Sequence, residues 1–121
     1  MAIVAAPALT PEIALQYLGE LSTDIKASVL LPSGGGTAAA ATHPVDGGEQ
    51  LGELTAELFE RADAADGDRV SQVEVSTGDG GVYAVRGERW TLAVVTGRFA
   101  LSSLMFYDLR SVLGDLEAKP A

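Results

Sequence analysis

The stretch Val70–Thr96, VSQVEVSTGDGGVYAVRGERWTLAVVT, decides the fold class. It contains three β-branched and aromatic runs, Val70 to Thr77, Val82 to Arg86 and Arg89 to Thr96. Gly78-Asp79-Gly80-Gly81 joins the first two, and a glycine-bearing connection of this length between such runs marks a hairpin. Gly87-Glu88 joins the second and third. Strands joined by connections this short lie antiparallel. The third run, Trp90-Thr91-Leu92-Ala93-Val94-Val95, is apolar at both parities. A strand covered on both faces belongs in the middle of its sheet.

Helical periodicity flanks this meander on both sides. Downstream, Phe99 to Glu117 carries Leu101, Met105, Phe106, Leu109, Val112, Leu113 and Leu116 on one broad face, the expected core side. Leu104 and Tyr107 fall off that stripe, among Asp108, Arg110 and Ser111, and form a small candidate contact patch. Upstream, beyond the polar loop Asp63 to Arg69, a helix is expected over about Asp46 to Ala65. At 100° per residue, Leu51, Leu54, Leu58, Ala62 and Ala65 form an apolar stripe, read as its core face. Glu49, Glu53, Glu57 and Glu60 form an acidic solvent face. Gly48, Gly52, Thr55, Ala56 and Phe59 form a third face, small residues beside one aromatic. Such a face lets another backbone approach closely, and it predicts a helix-packing surface.

Near the start, Thr10-Pro11-Glu12 opens a helix, with Thr10 as N-cap and Pro11 where no N–H is needed. The helix is expected to run to about Ser22, with Ala14, Tyr17, Leu18 and Leu21 on one stripe. Ile25 to Leu31 then alternates with period two and reads as a strand. Pro32-Ser33-Gly34-Gly35-Gly36 is a turn. Thr37 to Thr42 is Ala-rich and helix-compatible by propensity, but the glycine turn before it and His43-Pro44 after it favour a short returning strand. The order is helix, two strands, helix, three strands, helix. It defines an α+β sandwich with a mostly antiparallel sheet, a single domain spanning 1–121 with its core at about 11–117.

Composition narrows the function. The 121 residues are 47% hydrophobic, with 8 Lys plus Arg against 17 Asp plus Glu, a net charge of -9. A chain this acidic repels phosphate backbones and anionic lipid, which argues against nucleic-acid and membrane-surface roles. The absence of Cys excludes thiolate metal sites, thiol catalysis and redox switching. The apolar Met1 to Leu9 lacks the basic region and length of a signal peptide, so a cytoplasmic protein without membrane insertion is expected.

The residues that invite a chemical reading do not assemble a reaction. Ser33 to Thr37 (SGGGT) suggests an anion cradle, but no Lys follows to complete a phosphate loop. Asp63, Asp66, Asp68 and Glu74 suggest calcium. Setting the loop's Gly on Gly67, however, puts Ala62, Ala64 and Val73 at ligand positions. His43, the one imidazole, has no Ser or Cys nucleophile in a motif with it. Arg98 and Arg110 are candidates for a finger toward a nucleotide held by a partner, or plain surface charges. The chain reads as a binding module, with no catalytic residue, metal or cofactor expected.

Taken together, these features resemble the Roadblock/dynein light chain family. The resemblance lies in the opening helix ending Leu18-Gly19-Glu20-Leu21, the Gly-turn hairpin Val29 to Ala38 and the amphipathic helix Leu51 to Ala65. It continues through Val73-Glu74-Val75 with its Gly-Asp-Gly-Gly turn, and through Leu92-Ala93-Val94-Val95-Thr96 into the helix Leu104 to Leu116. It spans about Pro11 to Leu116 and rests on element order and apolar pattern; the Pro32 to Gly36 turn departs from the Asp-x-x-Gly type common in the family.

The resemblance implies a profilin-like sandwich, a five-stranded antiparallel sheet ordered 2-1-5-4-3 and flanked by three helices. The first and third helices would share one face. It further implies a homodimer in which third strands pair edge to edge and second helices pack together. Prokaryotic relatives bind or regulate Ras-like small GTPases, some as activators, and eukaryotic relatives are adaptor subunits. The expectation is therefore a prokaryotic, non-enzymatic homodimeric regulator or scaffold of a small GTPase. Its expected dimer surface is Gly48, Gly52, Thr55, Ala56 and Phe59 with Gln72, Val73, Glu74 and Val75. Its expected partner surface is Glu49, Glu53, Glu57 and Glu60, or Leu104 with Tyr107. The rival readings are a small-molecule sensor and a purely structural adaptor subunit.

Overall fold

A computed structural model describes residues 9–22, 24–41 and 47–118, so Thr42, His43 and Asp46 lie outside the described residues. Each helix starts and stops where local chemistry directs. Thr10 Oγ1 accepts the Ile13 N–H at 3.2 Å and opens α1 (Pro11–Leu21). Gly67, at φ +83°, closes α2 (Gly48–Asp66) through its N–H to the Asp63 carbonyl. An extended Leu101 precedes α3 (Ser102–Glu117), so Phe99 stands ahead of the helix it was expected to begin.

The strands are β1 (Ile25–Pro32), β2 (Ala39–Ala41), β3 (Gln72–Thr77), β4 (Gly80–Arg86) and β5 (Trp90–Gly97). All neighbours are antiparallel, in the order β2-β1-β5-β4-β3. Central β5 is the run that is apolar at both parities. Two bounds differ from expectation for physical reasons. Gly35 and Gly36, both at positive φ, carry the turn further along the chain, so among the described residues β2 begins at Ala39 and pairs over Ala39–Ala41. The β3–β4 turn is tighter than its four small residues suggest: Thr77 already pairs with Gly80.

Side-chain alternation builds two cores. Leu30, Tyr83, Val85, Leu92 and Val94 point to one side, where Ala14, Leu15 and Leu18 of α1 and Met105, Leu109 and Val112 of α3 cover them. Val29, Leu31, Ala84 and Ala93 point to the other, beneath Leu51 and Phe59 of α2. At the far end of α3, the Glu117 carboxylate accepts the backbone N–H groups of Glu88, Arg89 and Trp90 at 3.0–3.1 Å. This ties the β4–β5 connection to the helix.

The faces of the helices correct the wheel reading. In α2 the buried residues are Gly48, Leu51, Gly52, Thr55 and Phe59. Leu54 is 45% exposed, Ala65 and Ala56 are exposed, and Leu58 and Ala62 are half-buried. The small-residue face therefore seats α2 on its own sheet. A Cβ on Gly48 would stand 2.5 Å from Ala40 Cβ, and one on Gly52 would stand 2.7 Å from Thr37 Oγ1 and 3.0 Å from Leu31 Cδ2. Ala84 and Ala93 make a low floor, so only a helix with glycine at these points comes close enough for Phe59 to reach it. Buried Thr55 donates to the Leu51 carbonyl at 2.8 Å and leaves no orphaned hydroxyl. In α1, Leu15 takes the core place expected for Tyr17 and Leu21, which are exposed, as is Leu101 ahead of α3.

Gly52→Leu is therefore expected to strain the fold of a single chain, costing about 1–3 kcal/mol through overpacking. Urea unfolding checks this: the midpoint should fall at every protein concentration. A wild-type midpoint would show that Gly52 does not seat α2.

Candidate interaction surface

Seating α2 by its glycines leaves part of the sheet only partly covered. The helix covers the cross-strand row Val73, Ala84, Ala93 and Val29. The next row on the same face is Val75, Val82, Val95 and Ala27, paired in register. Val75 is 39% exposed, and the other three are half-buried. One flank of α2, with Gly52 and Ala56, faces the β1–β2 and β4–β5 turns, which Ser33 N–H to Arg89 O links at 2.9 Å. The opposite flank of α2, bearing exposed Leu54 and half-buried Leu58, is the one turned toward this partly covered row. Leu54, Leu58 and this row form one apolar strip reaching the sheet edge at β3.

The expected interface on β3 divides by parity. Val73 and Val75 face the α2 side. Gln72 and Glu74 face α3, where Arg110 Nε donates to Gln72 Oε1 at 3.0 Å and Ser102 Oγ to Glu74 Oε2 at 2.9 Å. β3 ends the sheet, and among the described residues no strand pairs with its outer edge. Edges of this kind are templates for pairing with another chain.

Glu49, Glu53, Glu57 and Glu60 are exposed along α2, as expected, and Glu57 pairs with Arg61 at 2.9 Å. Three of them, Glu49, Glu53 and Glu60, rim a groove of about 900 Å³ floored by Leu31 and Phe59. The groove's basic groups are engaged within the chain. Arg86 lies over the Phe59 ring at 4.5 Å, meets Asp63 Oδ1 at 2.6 Å and donates to the Val70 carbonyl. Arg69 donates to the Gly87 carbonyl. The proposed arginine fingers have separate places: Arg110 is tied to Gln72, and Arg98 lies 4.9 Å over Phe99. Leu104 and Tyr107 are exposed on α3. Among the described residues, no three His, Cys, Asp or Glu side chains converge as metal ligands do, and no helix is long and apolar enough to cross a membrane.

In the sequence, Asp63 falls where the helix expected to about Ala65 and the polar loop Asp63 to Arg69 overlap. The structure puts it in the last turn of α2, where it accepts from Arg86 and from the Val70 N–H at 2.7 Å. Leu58, Val82 and Val95 were also missed as surface. Their apolar character was visible, but which side of α2 faces outward was not.

The element order, the strand order and the division of helices between faces define the Roadblock/LC7 fold. No protein-family model and no curated protein matches the sequence. Solved structures match in three dimensions. A Roadblock/LC7 domain from Streptomyces avermitilis superposes with a TM-score of 0.79 at 20% identity, covering 88% of this chain and 94% of that one. Myxococcus xanthus MglB matches with a TM-score of 0.69 at 11% identity, covering 96% and 91%. The gliding protein MglB from Thermus thermophilus also scores 0.69, at 19% identity, covering 92% and 94%. The shared property is the fold.

Arg86 first, and then the Val70 N–H, hold the Asp63 carboxyl below its ordinary value near 3.8. A carboxylate lowered on folding stabilises above its unfolded pKa, and that contribution is lost as pH falls through the folded value. Asp63→Asn should therefore lower stability at neutral pH and narrow its gap from wild type below about pH 4. Urea midpoints across pH measure this; a gap constant with pH would contradict the pairing.

Proposed function

We propose that the protein is a homodimeric, non-enzymatic regulator or scaffold for a Ras-like small GTPase. The observation that carries this reading is the apolar strip of Leu54, Leu58, Val75, Val82 and Val95 beside the open edge of β3. A second copy related by a twofold axis would lay its own α2 against the strip and pair its β3 with this one. Ten strands would then run across the dimer. Gly48, Gly52, Thr55 and Phe59 lie beneath α2, so the interface is the helix's other flank. Val73 and Val75 stay within it.

In such a dimer the two acidic rows of α2 flank the joined helices. A GTPase presenting basic side chains would be drawn to that surface, with an effect that fades as salt rises. The fold shared with MglB and the resemblance to the Roadblock family support a GTPase as the partner. The protein would act by holding and orienting that partner, with no catalytic group of its own. The groove beside α2 is the feature that favours the second reading, a small-ligand sensor.

Leu54→Glu is expected to weaken dimerisation at least about tenfold, the effect of roughly 1.4 kcal/mol at an interface. Light scattering across a dilution series measures it, and an unchanged dissociation constant would contradict the strip as the interface. Glu53→Lys with Glu57→Lys is expected to slow association with a cognate GTPase severalfold at low salt and to change little at high salt. Equal rates for variant and wild type at both salt concentrations would remove the acidic row as the partner surface.

A further inference from the structure

The groove beside α2 is kept open by short side chains on both of its banks. On the helix bank, Gly52 and Ala56 carry at most a methyl group. On the other bank the β1–β2 turn contributes Gly35 and Gly36, where an added Cβ would meet nothing within 4 Å. The floor residues Leu31 and Phe59 are 7% and 3% exposed, and Arg86 lies over the Phe59 ring. Such a floor offers a thin apolar strip and no ring face for a ligand to stack on. The helix residues along the groove, Glu49, Gly52, Ala56, Phe59 and Asp63, follow one another at steps of three and four. They trace one flank of α2 for roughly 20 Å at 1.5 Å per residue. The groove is long.

Its charge is one-sided. Glu49, Glu53 and Glu60 rim the helix bank, and Glu88 stands on the β4–β5 turn, all of them exposed. Among the described residues no cationic side chain pairs with any of these four carboxylates, whereas Glu57, outside the groove, has Arg61. The two arginines of the wall are held within the chain, Arg86 by Asp63 and the Val70 carbonyl, Arg69 by the Gly87 carbonyl. The carboxylates are also spread out. Along the helix axis Glu49 and Glu53 are about 6 Å apart, and Glu53 and Glu60 about 10 Å. Among the described residues no three acidic side chains come together as metal ligands do. One metal ion would not answer this arrangement. A cation whose charges are strung along a chain would.

We propose that the groove binds a linear polyamine of the spermidine class, stretched along α2. Its ammonium groups lie on the glutamates and its methylene runs on Leu31 and Ala56. Lysine side chains divide themselves in the same way, laying the stem on apolar surface and keeping the charged end in water. Carboxylates on both banks hold such a chain from either side. The proposal deepens the small-ligand reading of this groove and rests on it. It needs neither the dimer nor the GTPase, because every residue of the groove belongs to one chain.

Isothermal titration of the full chain with spermidine at about 0.1 M salt tests this. The wild type should bind one spermidine per chain with a dissociation constant below about 1 mM. Ala56→Phe fills the groove from an exposed position without altering charge, and it should weaken binding at least about tenfold. Glu53→Gln with Glu60→Gln should do the same. Glu57→Gln with Glu20→Gln removes as much charge outside the groove and should change affinity by no more than about twofold. Circular dichroism checks that each variant keeps its helices. Hexaamminecobalt(III), which has the same triple charge and no methylene stem, should bind at least about tenfold more weakly than spermidine. A wild type that binds no spermidine overturns the proposal. So do wild-type affinity in Ala56→Phe, equal losses in the groove and control variants, or equal affinity for the cobalt complex, each of which describes a counterion atmosphere. Parallel titration with AMP separates this from the reading beneath it. AMP binding that Ala56→Phe abolishes, with spermidine silent, overturns the polyamine and keeps the groove as a small-ligand site; silence toward both ligands overturns both.

Discussion

The close approach of α2 to its sheet sets the rest of this structure. Gly48 and Gly52 let the helix settle where any Cβ would meet Ala40, Thr37 or Leu31. Ala84 and Ala93 keep the sheet low enough for Phe59 to bury its ring. Once α2 is seated by this face, its rotation is determined, and three surfaces follow. The Glu49–Glu60 row points to solvent, Ala56 and Asp63 border the groove, and Leu54 and Leu58 turn toward the partly covered valine row. The same seating brings Asp63 to Arg86, whose guanidinium lies over Phe59.

A sheet with helices on both faces has few ways to meet a partner, and this one retains three. The open edge of β3 offers backbone hydrogen bonds, and the valine row beside it offers apolar area. The outer flank of α2 carries acid. The α1/α3 face carries exposed apolar side chains, among them Ile13, Tyr17, Leu104 and Tyr107. In a chain of net charge -9, this distribution separates the contacts. On the proposed function, like copies would meet where carboxylates are absent, and a basic partner would meet the carboxylates. A regulator that has to pair with itself and also seat a second protein needs that separation.

Much of the architecture was legible in the sequence because it is written locally. Thr10-Pro11 opens α1, the turn at Gly78-Asp79 makes the β3–β4 hairpin, and the double-sided apolar run Trp90–Val95 marks the central strand. The faces of α2 were not legible. Periodicity separates stripes, yet it does not say which stripe meets the sheet. Leu54 and Leu58 are more hydrophobic than Gly52 and Thr55, so hydrophobicity pointed the helix the wrong way. The deciding fact is the height of Ala84 and Ala93 on strands far along the chain. The Glu117 clamp on Glu88, Arg89 and Trp90 was invisible for the same reason: it joins residues up to 29 positions apart. Tyr17 and Leu21 continue the apolar period of α1 and read as core. Only the placement of α3 leaves them outside.

The central claim is that a second copy covers the β3 edge and the strip beside it. Hydrogen–deuterium exchange of the β3 amides, followed as a function of protein concentration, tests this most directly. The account predicts slow exchange across Gln72–Thr77 at high concentration, speeding on dilution as the edge is released to solvent. Exchange that is fast at every concentration, or slow and independent of dilution, would contradict it.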